Sequence, residues 1–215
     1  MKPVTKHRRP NPTPLPPSSQ PPSPWFEPCK RAMDVLLASL GLIASAPVLL
    51  LCMAWVWWMD GSPVIYRQWR VGRSGRLFCL YKLRTMRRDA ERHGVRLATS
   101  DDQRVLPGCQ WIRKSHLDEL PQLINVLMGQ MSIVGPRPER PEVIEQLRAA
   151  LPRIERRLAV APGLTGLAQV RNGYSNDLAG MRRKLAYDLL YLRRRSFFTD
   201  LGLILQTAPK LWDQA

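Results

Sequence analysis

The stretch Val35–Met59 reads VLLASLGLIASAPVLLLCMAWVWWM and contains no charged residue over its 25 positions. An apolar run above about 18 residues is long enough to cross a bilayer as a helix. The alternative, a buried helix of a soluble protein, is disfavoured because such helices rarely continue this far without a polar face. The sequence therefore predicts a membrane-inserted helix.

Pro47 lies in the middle of this segment and predicts a break, since proline removes a helical hydrogen bond and crowds the preceding turn. Basic residues flank the segment on both sides, with Lys30 and Arg31 before it and several arginines within residues 67–88 after it. Both flanks therefore favour the cytoplasmic side. A re-entrant helix satisfies both, with the Ser45 hydroxyl expected to satisfy backbone groups freed at the bend.

Residues 1–29 differ in composition from the rest, because ten of the 20 prolines fall within residues 1–28. Proline lacks an amide hydrogen and has a fixed φ, so a disordered tail is predicted, either a passive tether or a ligand for a proline-binding partner. The sequence thus predicts three parts. They are the tail (1–29), a membrane helix–break–helix (30–62) and a cytoplasmic catalytic domain with interfacial helices (63–215).

Basic residues dominate the composition, with 33 lysines and arginines against 17 acidic residues and a formal net charge of +16. Such a chain favours polyanionic partners, namely nucleic acid, an acidic membrane surface or phosphorylated substrates. The four cysteines are too widely spaced for a structural zinc site. Residues 116–151 are net negative instead, which makes them the candidate segment for metal or acid–base chemistry.

Residues 64–84 predict a β-hairpin, with strand-forming residues on both sides of a turn that contains Gly72 and Gly75. Lys82 and Arg84 are two positions apart near the end of the second strand, so they are predicted to share a face that suits a phosphate group. The glycines do not form a phosphate-binding loop of the known type, since no G-K-[ST] follows them.

Asp118 and Glu119 lie just before a predicted amphipathic helix that begins at Pro121. The helix macrodipole is expected to lower the pKa of both carboxyls and to keep them ionised. An adjacent ionised pair suits a division of labour in which one carboxylate attacks and the other binds a divalent cation. The spacing Ser115-x-x-Asp118 also fits a capping box, so a purely structural role is the alternative.

Arg137 lies between Pro136 and Pro138, which stiffen the chain and favour phosphate binding by a pre-positioned guanidinium. A simple turn with an exposed arginine is the alternative. Gln169 follows a glycine-containing turn and is a candidate ligand contact.

Apolar residues recur at helical spacing within residues 143–158 and 181–192, which predicts that they form core. Residues 193–212 mix arginines with bulky apolar side chains. That mixture suits a helix lying on an anionic bilayer, with ordinary packing against the domain as the alternative.

A series of short motifs runs in order through the chain. They are Lys30-Arg31-x-x-Asp34, Pro63-Val-Ile-Tyr-Arg-Gln68, Tyr81-Lys-Leu-Arg-Thr-Met86, Arg113, Leu117-Asp-Glu-Leu-Pro-Gln122, Met131-Ser-Ile-Val-Gly-Pro-Arg-Pro138, Pro162-Gly-Leu-Thr-Gly-Leu-Ala-Gln169 and Tyr187-Asp-x-x-Tyr191. In this order they resemble the monotopic polyprenol-phosphate phosphoglycosyl transferases, the bacterial sugar transferase family. The chain is similar in length to the small members that consist of the catalytic domain alone.

The resemblance implies an α+β, mostly helical monotopic membrane protein with a re-entrant N-terminal helix, a small β-hairpin and amphipathic interfacial helices. It implies transfer of a sugar 1-phosphate from a UDP-sugar to a polyprenyl (undecaprenyl) phosphate at the cytoplasmic face of the bacterial inner membrane, with release of UMP. The expected partners are these two substrates and membrane phospholipids, without nucleic acid, and a homo-oligomer is compatible with the sequence. The sugar and the glycan pathway stay open.

The resemblance also implies roles for individual residues. Asp118 matches the nucleophile that forms a covalent phosphosugar intermediate, and Glu119 matches the residue that binds Mg²⁺. The expected substrate contacts are Lys82, Arg84, Arg113, Arg137, Gln169 and Asp188, and the expected anchor and hinge residues are Lys30, Arg31, Asp34, Ser45 and Pro47.

Two positions depart from the family pattern. Ala46, rather than a serine, precedes Pro47, which puts the capping role of a hydroxyl there in question but not the break. His116 stands where a small polar residue is usual, and its ring is expected to narrow the site or to change its charge.

Two other classes of protein fit the composition. A membrane-tethered nucleic-acid-binding protein agrees with the net charge, but the sequence has no recognised motif of that kind, and adjacent carboxylates repel phosphates unless a metal is present. A membrane scaffold would have no use for the Asp118–Glu119 pair. Mg²⁺-dependent release of UMP would separate an enzyme from both.

Overall fold

The computed structural model describes residues 24–90, 92, 102–171 and 177–212, so most of the predicted tail lies outside the described residues. The helices are α1 (Phe26–Asp60), α2 (Gln110–Lys114), α3 (Gln122–Leu127), α4 (Pro141–Arg148), α5 (Leu167–Arg171), α6 (Leu178–Arg194) and α7 (Phe197–Trp212). The strands are β1 (Ile65–Val71), β2 (Leu77–Leu83), β3 (Ser132–Val134) and β4 (Gly163–Thr165). Mostly helical structure with small two-stranded sheets confirms the predicted α+β class.

Helix α1 contains the apolar segment and begins at Phe26, a few residues before the predicted boundary at Lys30. By length and composition alone, it is able to cross a membrane. The helix continues through Pro47, so the predicted separation into two helices is wrong, whereas a bend at Pro47 within one helix stays a prediction. One proline removes one hydrogen bond and crowds one carbonyl, and the long helical segments on both sides outweigh that cost. The re-entrant path itself stays a prediction.

The Ser45 hydroxyl was expected to satisfy backbone groups at the bend. It is buried and has no hydrogen-bond partner among the described residues, so this expectation is wrong for the structure. Because α1 is not interrupted beside Ser45, there is no exposed helix end there for the hydroxyl to cap.

Charged side chains bind the N-terminal half of α1 to the rest of the chain. The Lys30 ammonium donates to the Asp200 carboxylate of α7 at 2.6 Å, and the Asp34 carboxylate accepts from the Ser132 hydroxyl of β3 at 3.0 Å. The Arg31 guanidinium donates to two backbone carbonyls at the end of α3, at 2.6 and 2.7 Å. Residues predicted as a basic membrane flank are therefore used for contacts inside the protein.

The C-terminal half of α1 packs against the same globular part. Cys52 and Val56 are buried in an apolar cluster that also contains residues of β2 and α2, and the Trp55 indole donates to the Gly108 carbonyl at 2.9 Å. Between these two contact regions, most side chains of residues 43–51 are exposed. One globular unit thus holds α1 near both of its ends.

The predicted hairpin is confirmed. Strands β1 and β2 pair antiparallel over seven residues each, with Val71 opposite Leu77 next to the turn. Ser74 and Gly75 in the turn both have left-handed backbone angles, and glycine adopts this conformation without a steric cost. The hairpin carries Lys82 to the short turn that precedes α3.

A second, parallel sheet joins β3 to β4 and was not predicted from the sequence. The Gly135 amide donates to the Thr165 carbonyl at 2.8 Å, and the Gly163 amide donates to the Pro136 carbonyl at 2.9 Å. A Cβ on Gly163 would lie only 2.1 Å from the Gly135 nitrogen. The two backbones therefore approach so closely that glycine is required, and the loop after β3 is fixed against the turn that leads into β4.

The predicted core stripes are confirmed in the helices that follow. Ile144, Leu151, Ile154 and Leu185 form one buried cluster with Val71 of the hairpin.

Helices α6 and α7 meet around a buried tyrosine. The Tyr191 hydroxyl lies 2.9 Å from an Asp200 carboxylate oxygen and 3.2 Å from the Val134 carbonyl oxygen of β3. On α7, Leu203 is buried, whereas Phe198 and Leu205 are 81% and 66% exposed. Helix α7 thus has an exposed apolar face, and its position at a membrane interface stays a prediction.

The close approach of β3 and β4 predicts the effect of adding one methyl group. We expect Gly163→Ala to lower the free energy of unfolding by about 2 kcal/mol or more, because the new Cβ would meet backbone atoms. In Gly202→Ala, the matched control, the Cβ would meet only the Gln206 amide at 3.9 Å, and no loss is expected because alanine favours helix. Thermal unfolding of the detergent-solubilised protein measures both; equal stability of the two variants would contradict the prediction.

Candidate active site

The acidic pair lies on a short 3-10 turn, Leu117–Glu119, between α2 and α3. His116 enters the turn with a left-handed φ of 56°, and Pro121 stands directly before α3. Both carboxylates therefore lie just before a helix, as predicted. The Asp118 side chain is only 2% exposed and that of Glu119 13%.

Two cations from other parts of the chain face this pair. The Lys82 ammonium, near the end of β2, lies 2.8 Å from Asp118 Oδ2 and 3.2 Å from Glu119 Oε1. The Arg137 guanidinium, in the loop after β3, bonds both Glu119 oxygens, with Nη1 3.1 Å from Oε2 and Nη2 bonded to Oε1. The structure thus brings two predicted phosphate-binding residues to the acidic pair. Oxygens of both carboxylates converge on one ammonium group, so the pair is able to hold a cation.

The surroundings shift the two carboxyls in opposite directions. Burial raises the pKa of Asp118 above its usual range, and the charge of Lys82 offsets only part of this rise. Burial alone would also raise the pKa of Glu119, but Arg137 and Lys82 outweigh it and hold that pKa well below its usual range. The predicted lowering of both values by the helix macrodipole is therefore wrong for Asp118. For Glu119 the direction is right, but the neighbouring cations cause it.

Arg113, on α2, also acts on Asp118. Its charge adds to that of Lys82 in opposing the rise that burial causes in the pKa of Asp118, and its Nη1 lies 3.5 Å from the Thr85 hydroxyl.

The Ser115 hydroxyl, which a capping box would direct towards Asp118, donates to the Trp111 carbonyl at 2.7 Å. The capping-box alternative is wrong, because this hydroxyl is used at the end of α2.

Arg84 was predicted to share a phosphate-binding face with Lys82, but the structure places it elsewhere. It is buried, its Nη2 donates to the Asp60 and Gly61 carbonyls at 2.9 and 2.7 Å, and it pairs with the Asp60 carboxylate. Arg84 follows the last residue of β2, so strand alternation does not determine its direction. It closes the C-terminal end of α1.

The remaining two predicted substrate contacts have different surroundings. Asp188, on α6, is buried and pairs with Arg157 at 2.8 Å. Gln169, on α5, has a buried side-chain amide whose nitrogen and oxygen find no partner among the described residues. An unsatisfied buried amide is costly unless something else bonds it, so Gln169 remains a candidate ligand contact.

Sequence reasoning missed two arginines that hold the Arg137 loop. Arg157 Nη2 donates to the Arg137 carbonyl at 2.8 Å, and Arg70 Nη1 donates to the Pro138 carbonyl at 3.0 Å. Arg157 follows the buried Ile154 by three residues, so it belongs to a face that is otherwise apolar. A charged residue on a core-facing stripe was the available signal for a buried ion pair.

The family described as bacterial sugar transferase matches residues 25–214, nearly the whole chain. The chain belongs to the bacterial sugar transferase family. The resemblance inferred from the ordered motifs is thereby confirmed.

Several named relatives of this sugar transferase are more than a third identical to it over the aligned residues. UDP-N-acetylgalactosamine-undecaprenyl-phosphate N-acetylgalactosaminephosphotransferase of Aeromonas hydrophila is 37% identical over 86% of this chain and 44% of its own length. A UDP-glucose:undecaprenyl-phosphate glucose-1-phosphate transferase of Caulobacter vibrioides is 39% identical over 85% and 69%. The exopolysaccharide production protein ExoY of Sinorhizobium fredii is 37% identical over 84% of each chain. The chain therefore spans less than half of the Aeromonas relative but most of ExoY.

The opposite pKa shifts predict opposite effects of two neutralising substitutions. At about pH 7, Asp118→Asn removes a charge that burial disfavours, and we expect the free energy of unfolding to rise by about 1 kcal/mol. Glu119→Gln removes a charge that Arg137 and Lys82 stabilise, and we expect a fall of about 1 kcal/mol or more. Thermal or denaturant unfolding measures both changes.

The contributions of Asp118 and Glu119 to stability change with pH in opposite directions. The cost of ionised Asp118 is relieved as the pH falls towards its raised pKa, so the gain from Asp118→Asn should shrink in mild acid. The contribution of Glu119 is present above its unfolded pKa of about 4.3 and is lost only as the pH falls towards its lowered folded pKa. Changes of the same sign in both variants would contradict the assignment.

Proposed function

We propose that this sugar transferase moves a sugar 1-phosphate from a UDP-sugar to undecaprenyl phosphate or a related polyprenyl phosphate. The products are UMP and a polyprenyl-diphosphate sugar, the starting lipid for an exopolysaccharide, capsule, O-antigen or glycoprotein glycan. The observation that carries the proposal is the buried Asp118–Glu119 pair faced by Lys82 and Arg137. The names of the relatives support it, since two of them state this reaction for a particular sugar.

Asp118 is the proposed nucleophile. Its carboxylate oxygen attacks the phosphorus that carries the sugar, the bond from that phosphorus to the UMP oxygen breaks, and UMP leaves with the electron pair. An oxygen of the polyprenyl phosphate then attacks the same phosphorus, and the aspartyl–phosphate bond breaks to regenerate the carboxylate. Two displacements let donor and lipid use one site in turn. Burial supports this role, because it raises the pKa of Asp118 and makes the oxygen more basic.

Lys82, Arg113 and Arg137 supply the positive charge that a diphosphate donor requires. In the structure, Lys82 and Arg137 pair with the two carboxylates, and donor phosphates would compete for the same groups. The planar guanidinium of Arg137 suits two oxygens of one phosphate. These cations stabilise the charge that develops on the leaving UMP.

Glu119 fits the Mg²⁺ site that the family resemblance implies. Proteins usually bind Mg²⁺ through one or two carboxylates together with substrate phosphates and water. Oxygens of Glu119 and Asp118 already converge on the Lys82 ammonium. No larger group of metal-binding side chains occurs within the part of the chain that the structure describes. When bound, Mg²⁺ neutralises charge on the diphosphate and on the leaving UMP.

The proposed membrane path of α1 is re-entrant, with both ends on the cytoplasmic side of the inner membrane. Lys30 contacts Asp200 near one end, and Trp55 contacts Gly108 near the other. A helix with ends on opposite sides of a bilayer would not permit both contacts with one globular unit. Residues 43–51 would lie deepest, while phospholipids cover the exposed face of α7. This arrangement holds Asp118 at the height of lipid phosphates.

The reaction can be tested with purified protein in nanodiscs that contain undecaprenyl phosphate. With Mg²⁺, we expect UMP release from at least one donor in a panel of UDP-glucose, UDP-galactose and their N-acetylated forms. Asp118→Asn should abolish both UMP release and covalent labelling by a donor radiolabelled in the sugar. Glu119→Gln should lower turnover by about 100-fold or more and weaken its Mg²⁺ dependence.

Glu145→Gln is the matched control, because this carboxylate is exposed and pairs with Arg148 on the surface of α4, away from the acidic pair. It should keep wild-type turnover. Inactivity of the wild type with every donor would contradict the reaction. Wild-type turnover by Asp118→Asn would contradict the covalent mechanism alone.

The path of α1 can be tested by labelling with a membrane-impermeant maleimide. The exposed native Cys29 reports on one end of α1. In variants without Cys29, Arg73→Cys at the hairpin turn reports on the other end and Val48→Cys on the deepest point. We expect both ends to react in inside-out vesicles and neither in sealed cells, whereas Val48→Cys should react in neither. Labelling of the two ends from opposite sides would contradict the re-entrant path.

A further inference from the structure

A buried network of ion pairs holds the Arg137 loop, and none of the proposed chemical steps uses it. Arg157 and Asp188 have side chains that are 4% and 2% exposed and lie 2.8 Å apart. The same guanidinium reaches the Glu139 carboxylate at 3.4 Å and donates to the Arg137 carbonyl at 2.8 Å. Lys184 bonds Glu139 from the other side. Arg157 thus has three different partners within the protein.

Consecutive carbonyl groups of this loop each accept a hydrogen bond from outside it. The carbonyl of Arg137 accepts from Arg157, that of Pro138 from Arg70, and that of Glu139 from the Val71 amide. The prolines on either side of Arg137 have no amide hydrogen, so the loop makes few bonds of its own. Its backbone direction therefore depends on these external donors.

We propose that Arg157 is a positioning residue of this sugar transferase, acting through the backbone of Arg137. By bonding the Arg137 carbonyl, it fixes the direction in which the Arg137 guanidinium meets Glu119 in the resting state and the donor phosphates during the reaction. The inference rests on the proposed function and deepens it. Asp188, predicted as a substrate contact, becomes the residue that holds Arg157.

The chemistry of the guanidinium explains why arginine is suited to this position. Its donors lie in one plane and point in fixed directions, so it is able to bond two carboxylates and one carbonyl at the same time. A lysine ammonium keeps the charge opposite Asp188 but does not present the same planar set of donors. Arg157→Lys is therefore expected to loosen the loop while keeping the buried charge compensated.

A double-mutant cycle between Arg157 and Arg137 tests the proposal. We expect Arg157→Lys to lower kcat for UMP release by about 10- to 100-fold, as expected when a binding group is displaced by about 1 Å. In an Arg137→Gln background the same change should have almost no further effect, because Arg157 acts through the side chain already removed. A purely structural role would give effects that multiply.

Arg148→Lys is the matched control, since Arg148 also bonds two carboxylates, Glu145 and Glu155, but on α4. It should leave turnover unchanged in both backgrounds, and the melting temperature of every variant shows whether folding is retained. If Arg157→Lys does not fold, Asp188→Asn, which loosens the hold on Arg157, takes its place in the cycle.

The affinity for UDP, measured by calorimetry in the same four proteins, separates the two proposals. If the wild type releases UMP but the effects of Arg157→Lys and Arg137→Gln multiply, the positioning role is wrong and the proposed function stands. If the wild type is inactive with every donor, the proposed function fails, and non-multiplying losses of UDP affinity would still support positioning. Multiplying losses of affinity would overturn it.

Discussion

Two adjacent carboxylates occupy a largely buried turn only because cations from distant segments face them. Burying a charge is costly unless an opposite charge and hydrogen bonds compensate it. The hairpin supplies Lys82, and the loop after β3 supplies Arg137. Compensation of the buried charges of Asp118 and Glu119 therefore requires both elements to lie beside the acidic turn. Two cations thus face two carboxylates. In the proposed reaction, donor phosphates would replace the carboxylates as partners of these cations.

Strand β3 connects this site to α1 over a very short distance in sequence. Its first residue, Ser132, bonds Asp34 of α1, the Val134 carbonyl lies beside the Tyr191 hydroxyl, and the loop of Arg137 follows at once. A parallel pairing with β4, which requires glycines at the contact, keeps this segment straight and fixed. The distance between anchor and acidic pair is thus set by rigid structure.

Local patterns in the sequence predicted the hairpin, the core stripes of α4 and α6, the acidic pair and its two cations. These features depend on periodicity, turn residues and motif spacing, which act over a few residues. The differences from prediction lie where tertiary contacts decide. Arg84 stands one residue beyond its strand and turns towards α1. Asp188 pairs with Arg157, whose only local signal is its place on an otherwise apolar stripe. The pKa of Asp118 depended on burial, which its position before a helix did not reveal.

The contacts that hold α1 join residues that are synthesised at very different times. Lys30 and its partner Asp200 are 170 residues apart, and Asp34 and Ser132 are 98 residues apart. During synthesis from the N-terminus, the apolar segment is complete long before the residues that bind it exist. On the proposed membrane path of α1, the bilayer is therefore its first folding environment. On that path, the globular part closes on a helix that is already inserted, and residues of α7, which are made late, complete the attachment.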